Sequence, residues 1–402
     1  MSIKKYSILF VFLLVFISSL LAMANYVVDP YMLFQSKRIA GFNDKKPTVA
    51  NRSTLYKPYN IANIKPKTII VGNSRPEMGL DPNSACWPKG AATVYSLTFP
   101  GLSFYGQIRA LYHGIATGQV EHIVLGVDFA DFLHPKREFE GDFWPKRSAL
   151  LYKRFLVDEQ FADNNLYWLN KTKDYATALF SLDALNDSVT TLISQSPNSA
   201  NRTKLGFNPA RDYYEINRYE GAWVLFAQKQ KELASRFSKA ELSIFDTTNW
   251  SFELEAVKKA IQLAHDHNIR LSIFINAYHY TYLETIKTAG YWPEFEKFKL
   301  SLADTVKKYG NNQVALWDFA LYSNYTVTAV PQKNTAKTDW HWFWEPAHYK
   351  AELGELMLAD MFATSCTATK TDPVGIQLNT VNMNTHLLQQ QKQRAVLLQN
   401  LF

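Results

Sequence analysis

The apolar residues of this chain fall into two alternating patterns. Short, near-continuous apolar runs recur at "TIIVG" (Thr68 onward), "ATVYSLTF" (92–99), "EHIVLGVDF" (121–129), "IRLSIFINAY" (269–278) and "QVALWDFA" (313–320). Longer stretches with apolar positions every three or four residues lie between them. In "SFYGQIRALYHGIATG", Phe104, Ile108, Leu111 and Ile115 share one helical face. "ELEAVKKAIQLAHDHN" and "PEFEKFKLSLADTVKKYG" repeat the pattern before the last two runs. Runs that are apolar throughout suit strands buried on both faces, and amphipathic helices between them supply the cover. The expectation is a doubly wound α/β domain built on a central parallel sheet.

Three regions depart from this alternation. Residues 1–29 carry Lys4 and Lys5 before an apolar run over 8–24, which reads as a membrane anchor or as a signal segment with "AMA" as its cleavage site. In both cases the lysines stay cytoplasmic and the remainder is exported. An uncleaved anchor is the preferred reading, which places the chain as a single-pass protein with its main domain outside. Residues 30–66, rich in Pro, Lys and Asn, read as a stalk or wrapping segment. The stretch from about 133 to 217 is polar and aromatic and reads as a helical insertion, with a cap over the site as one role. Residues 67–366 then form the α/β domain, and 367–402 a tail ending in an amphipathic helix that docks on the domain or on a partner.

Composition narrows the picture further. The chain has 402 residues, 47% of them hydrophobic, enough for a large core. The net charge of +7 is scattered rather than gathered into a basic stripe, so nucleic-acid binding has no support. A mildly basic surface suits an anionic envelope or polysaccharide. Cys86 and Cys366 are the two cysteines. They either close one disulfide, as an exported protein permits, or remain two buried thiols. No nucleotide-binding glycine loop and no metal-ligand spacing is present, so no cofactor is expected.

In open α/β sheets, ligands bind beyond the carboxyl ends of the strands. Those positions hold Ser74, Gly101, Asp128, Asn276 and Asp318, and "WEPAHY" adds Glu345 and His348. A serine nucleophile needs a base and donors for the oxyanion. If Glu345 to His348 begin a helix, their spacing puts acid and imidazole on one face. Asp339 and His341 form a second acid–histidine pair, and Asp339 is an alternative acid for His348. Arg75, His279, Asp339, His341 and Trp344 are candidates for substrate contact. Trp344 belongs to an aromatic concentration ("WHWFWEPAHY", "YHYTYLETIKTAGYW", "DFWPKR") whose ring faces suit sugars, although core packing explains such residues equally. Asp128 and Asp318 read as capping groups.

The order Ser, Gly, Asn, then an acid three residues before His resembles the SGNH hydrolase superfamily. The block "GNSR" at Gly72 to Arg75 is similar to the turn in the membrane-anchored teichoic acid D-alanylation and exopolysaccharide-acylation branch. Asn73 stands where the family has aspartate, and Glu345 where it has the triad aspartate. The resemblance implies a flavodoxin-like α/β/α domain outside the cytoplasmic membrane. It implies acyl transfer or ester hydrolysis on an envelope or secreted polysaccharide, by Ser74, His348 and Glu345 with Gly101 and Asn276 at the oxyanion. It also implies an integral-membrane acyltransferase or polysaccharide-synthesis complex as partner. The alternative is a catalytically inactive glycan-binding or assembly subunit of a polysaccharide export complex.

Overall fold

The five apolar runs do pair side by side. A computed structural model describes residues 3–135, 149–238, 241–311, 313–333, 342–364, 366, 372–378 and 381–401. Its strands are β1 (Thr68–Gly72), β2 (Val94–Thr98), β3 (His122–Val127), β4 (His134–Pro135), β5 (Leu242–Ser243), β6 (Arg270–Ile275), β7 (Val314–Asp318), β8 (Phe343–Glu345), β9 (His348–Tyr349) and β10 (Ile376–Gln377). The main sheet has the order β10-β7-β6-β3-β1-β2. Its neighbours from β2 to β7 are parallel, and β10 joins antiparallel at the edge. The protein is an α/β fold with a mostly parallel six-stranded sheet flanked by helices.

Side-chain alternation divides the core into two layers. Ile69, Val71, Ile123, Leu125, Ile273 and Ile275 meet the helices Phe104–Ala116, Phe252–Asp266 and Trp292–Tyr309 on one face. Ile70, Val124 and Phe274 meet Leu353, Leu356 and Met357 of the helix Ala351–Phe362 on the other. Both faces are covered, which is why these strands are apolar without interruption.

The N-terminal helix Ile3–Val28 is long and apolar enough to cross a membrane, and its apolar side chains are exposed. It is the helix of an anchor or a signal sequence. Cys86 and Cys366 form a disulfide, and a bond of this kind points to an extracytoplasmic domain. It ties the segment after Ser74 to the end of the helix Ala351–Phe362.

Residues 30–66 wrap rather than extend. Tyr31, Leu33, Val49, Tyr56 and Tyr59 form a third apolar cluster with Tyr167, Ala178 and Ala184. The Pro- and Lys-rich composition conceals these tyrosines. The insertion is helical in its described part, with helices Tyr167–Phe180, Leu182–Ile193 and Arg211–Tyr219. Its first two helices form a hairpin packed on the N-terminal helix, so that portion does not cap the sheet edge. The stretch "DFWPKR" lies outside the described residues. The tail helix Met383–Leu401 docks on the domain: Arg394 pairs with Glu284, and Gln390 accepts the Tyr322 amide at 2.8 Å.

Candidate active site

The site begins where β1 stops. At Gly72 a Cβ would lie 2.7 Å from Pro76 Cγ and 3.2 Å from the Gly126 carbonyl oxygen, so only glycine lets the chain fold back this tightly. Asn73 then caps the short helix Ser74–Gly79 by accepting the Arg75 amide at 3.0 Å. Ser74 is the first helical residue and is partly exposed. Its own N–H is among the first-turn amides that a helix leaves without an internal partner.

Ser74 Oγ lies 2.7 Å from His348 Nε2. His348 Nδ1 bonds Glu345 Oε1, and Glu345 Oε2 accepts the Ala347 amide at 2.8 Å. Burial pushes the Glu345 carboxyl up, but His348, Lys229 and the Ala347 amide together hold it below the ordinary value. An ionised carboxylate only accepts, so Nδ1 carries the ring proton and Nε2 is left as acceptor for the serine hydroxyl. The three residues therefore form a hydroxyl–imidazole–carboxylate relay.

The local geometry of this relay differs from the sequence expectation. Glu345 and His348 do not begin a helix. They face each other across the two-stranded β8–β9 hairpin, with Pro346 and Ala347 in its turn. The helix starts only at Ala351. The His279 amide donates to the Pro346 carbonyl at 3.0 Å and fixes that turn. The serine helix is pressed against the same unit. A Cβ on Gly79 would sit 1.9 Å from the Tyr349 ring, and one on Gly354 would sit 1.7 Å from the Gly79 carbonyl oxygen. Two glycines thus let the nucleophile helix and the histidine hairpin come within bonding reach.

The remaining candidates divide. Gly101 lies in the turn after β2, with φ of 67° and an exposed backbone, at the same sheet edge as Ser74 and one strand away. Asn276 is buried. Its amide nitrogen donates to the Val127 carbonyl at 2.9 Å, and its oxygen accepts the Tyr349 hydroxyl at 3.1 Å. That side chain braces β6 against β3 and β9, and this engages one of the two amide hydrogens expected at the oxyanion. Trp344 is half-buried in β8, its ring centroid 6.3 Å from that of Tyr213. Asp339 and His341 lie outside the described residues.

Arg75 and His279 are engaged inside the protein. Arg75 ion-pairs with the fully buried Asp128 and stacks over Tyr278 and Tyr282. Burial pulls its guanidinium down, and Asp128 with the two tyrosines more than offsets this, so the charge stays and is spent inside the protein. His279 is buried. Nδ1 meets the Thr281 hydroxyl at 2.9 Å and Nε2 the Thr328 carbonyl at 3.1 Å, and burial drives its pKa down to about 3. It is a neutral cap of the helix Tyr280–Thr288.

Sequence reasoning missed the support beneath the serine. Asn73 donates to Asp128 at 3.4 Å and to Asp131 at 3.2 Å, and Gln107 donates to Asp131 at 2.9 Å. Burial, aided by the Asp128 charge, pushes Asp131 up to about 6. Asparagine at position 73 can donate to this acidic pair while its oxygen caps the helix, which an aspartate could not do. Lys57 and Glu77 form a fully buried ion pair at 2.8 Å, and Lys57 also donates to the Thr98 carbonyl at 2.8 Å. Glu77 belongs to the serine helix, so the wrapping segment anchors that helix from below. Tyr213, from the insertion, brings its ring centroid 6.1 Å from the His348 ring. Only its place in an aromatic-rich stretch could have signalled that.

Among the described residues no group of three or more His, Cys, Asp or Glu side chains is placed to hold a metal ion. No family model and no curated protein matches the chain.

Proposed function

We propose that the chain is a membrane-anchored, extracytoplasmic serine acyltransferase or ester hydrolase acting on an envelope or secreted polysaccharide. The observation that carries the reading is the relay from Ser74 Oγ through His348 to the ionised Glu345. Ser74 attacks the acyl carbonyl, and His348 Nε2 takes its proton. The acyl group stays on Ser74 Oγ while His348 returns that proton to the leaving oxygen. His348 then takes the proton of the incoming hydroxyl, from a sugar in transfer or from water in hydrolysis, as that oxygen bonds the acyl carbon; the ester bond to Ser74 breaks, and His348 returns the proton to Ser74 Oγ. Glu345 keeps the imidazole in the required tautomer throughout. The Ser74 amide and Gly101 are the donors proposed for the oxyanion, with the second Asn276 hydrogen as a third. Tyr213 and Trp344 offer ring faces beside the imidazole, which supports a sugar as acyl donor or acceptor.

A fluorophosphonate probe tests the reading. The folded wild-type protein is expected to label at one site, and Ser74→Ala to abolish labelling. A second reading, a glycan-binding subunit without turnover, is supported by the same aromatic wall. Polysaccharide binding by folded protein that never labels would establish it and retire the first.

A further inference from the structure

The N-terminal helix carries one polar residue that its apolar surroundings do not explain. Asn25 is fully buried. Its amide nitrogen donates to the Leu179 carbonyl at 2.9 Å, and its oxygen accepts the Ser188 hydroxyl at 2.8 Å. Both partners belong to the helical hairpin Tyr167–Phe180 and Leu182–Ile193. Ser18, Leu21, Ala22 and Asn25, spaced three or four residues apart, make one anchor face, and each is at least partly covered while most of the anchor is exposed. The hairpin is packed on that helix.

The direction of the hairpin follows from its other bonds. Leu179 lies beside its tip and meets Asn25. Farther from the tip on the same helix, the Tyr175 hydroxyl donates to the Leu33 carbonyl at 3.0 Å. At the open end, Tyr167 packs on Tyr59. Moving up the chain away from the anchor therefore moves away from the tip, so the tip points toward the membrane. That tip presents Phe180, 53% exposed, and Leu182, 74% exposed, and the exposed apolar surface continues through Val189. Exposed apolar residues also lie near the open end: Trp168, 67% exposed with Lys171 beside its ring, Leu169, 66%, and Ile193, 78%.

We propose that this hairpin is a second membrane-contact element, with Phe180 and Leu182 inserted in the lipid interface beside the anchor. Lipid is the occupant because, on the anchored reading proposed above, the tip lies on a helix whose exposed apolar residues are in the bilayer. The anchor is about 39 Å long at ~1.5 Å per residue, longer than a hydrocarbon core of about 30 Å. Its outermost turns, where Asn25 lies, therefore sit at the interface. Asp183 in the first turn after the tip keeps the insertion shallow, at headgroup depth. Two contacts instead of one fix the tilt of the catalytic domain over the bilayer. This inference does not depend on the chemistry of Ser74.

The test uses the full-length chain, one copy per nanodisc of phosphatidylethanolamine and phosphatidylglycerol. The native cysteines are paired, so single spin labels at Phe180→Cys and Leu182→Cys are specific, with Asp304→Cys on the helix Trp292–Tyr309 as the aqueous control. The tip labels are expected to be more accessible to oxygen than to a water-soluble nickel chelate, and the control the reverse. Tip labels as open to the chelate as the control overturn the proposal. Dipolar broadening between copies in proteoliposomes, with chelate access restored in single-copy discs, also overturns it by assigning the patch to a second chain. Phe180→Trp provides a variant that keeps an aromatic at the tip. Its added fluorescence should be quenched by brominated lipid, and absence of that quenching counts against insertion.

Discussion

Two histidine–carboxylate pairs stand at the carboxyl edge of this sheet, and they do opposite things. In one, His348 bonds the buried Glu345 and turns its other nitrogen to Ser74. In the other, His386 Nε2 lies 3.1 Å from Asp318, while Lys299 holds the same carboxylate oxygen at 2.7 Å. His386 is buried, and its Nδ1 meets no hydrogen-bond partner among the described residues. An acid beside an imidazole is therefore not a site by itself. The first pair has a partly exposed serine hydroxyl within reach. The second has a lysine that neutralises the acid, and its imidazole pins the tail helix to the end of β7.

The largest expected break in this comparison is Ser74→Ala or His348→Ala. Each should lower turnover of an activated aryl ester by at least about 1,000-fold, as loss of a relay member does elsewhere; Ser74→Ala should leave the unfolding midpoint unchanged, and His348→Ala should lower it because the buried Glu345 loses its partner. Exchanging carboxylate for amide in both pairs sharpens the contrast. Glu345→Gln should cost roughly 1,000- to 10,000-fold in turnover, because the wrong imidazole tautomer is stabilised. Asp318→Asn should leave labelling at Ser74 intact and cost about 1–3 kcal/mol of stability in denaturant titration, the range for losing a buried charge-assisted bond. A result in which Asp318→Asn silences Ser74 would erase the distinction.

Lys57→Ala tests a third buried ion pair, the one under the serine helix. It strands Glu77 without its nearest cation, and breaking such pairs typically costs about 3–5 kcal/mol. Denaturant unfolding checks the stability, and the labelling rate shows how far the nucleophile helix shifts. The smallest effect is acid sensitivity. Glu345 and Asp318 both have carboxyls held below their ordinary values. Their contribution to stability is full above the unfolded-state values of about 4.3 and 3.9 and is lost as pH falls through the lower folded-state values. Asp318→Asn should remove its share of that slope between neutral pH and pH 3.

The strands, their helices and the sheet edge were readable because burial on both faces leaves an unbroken apolar run, as in β3. Ser74 and His348 were readable because they follow a strand and an aromatic run at that edge. The hairpin at Glu345 was not, since a spacing of three fits both a helical turn and a two-residue β-turn, and Pro346 is at home in either. The commitment of Arg75 was hidden because its partner Asp128 lies on another strand. The wrapping segment was hidden for a similar reason: Tyr31, Tyr56 and Tyr59 are scattered among Lys, Pro and Asn and find their core in residues more than a hundred positions later.

The serine and the histidine are 274 positions apart in sequence. During export in the N-to-C direction, the hydroxyl emerges early and the imidazole almost last. The emerging chain carries no assembled relay until nearly all of it has left the cytoplasm. On the proposed acyltransferase or esterase reading, reactivity would therefore wait until His348 has crossed the membrane.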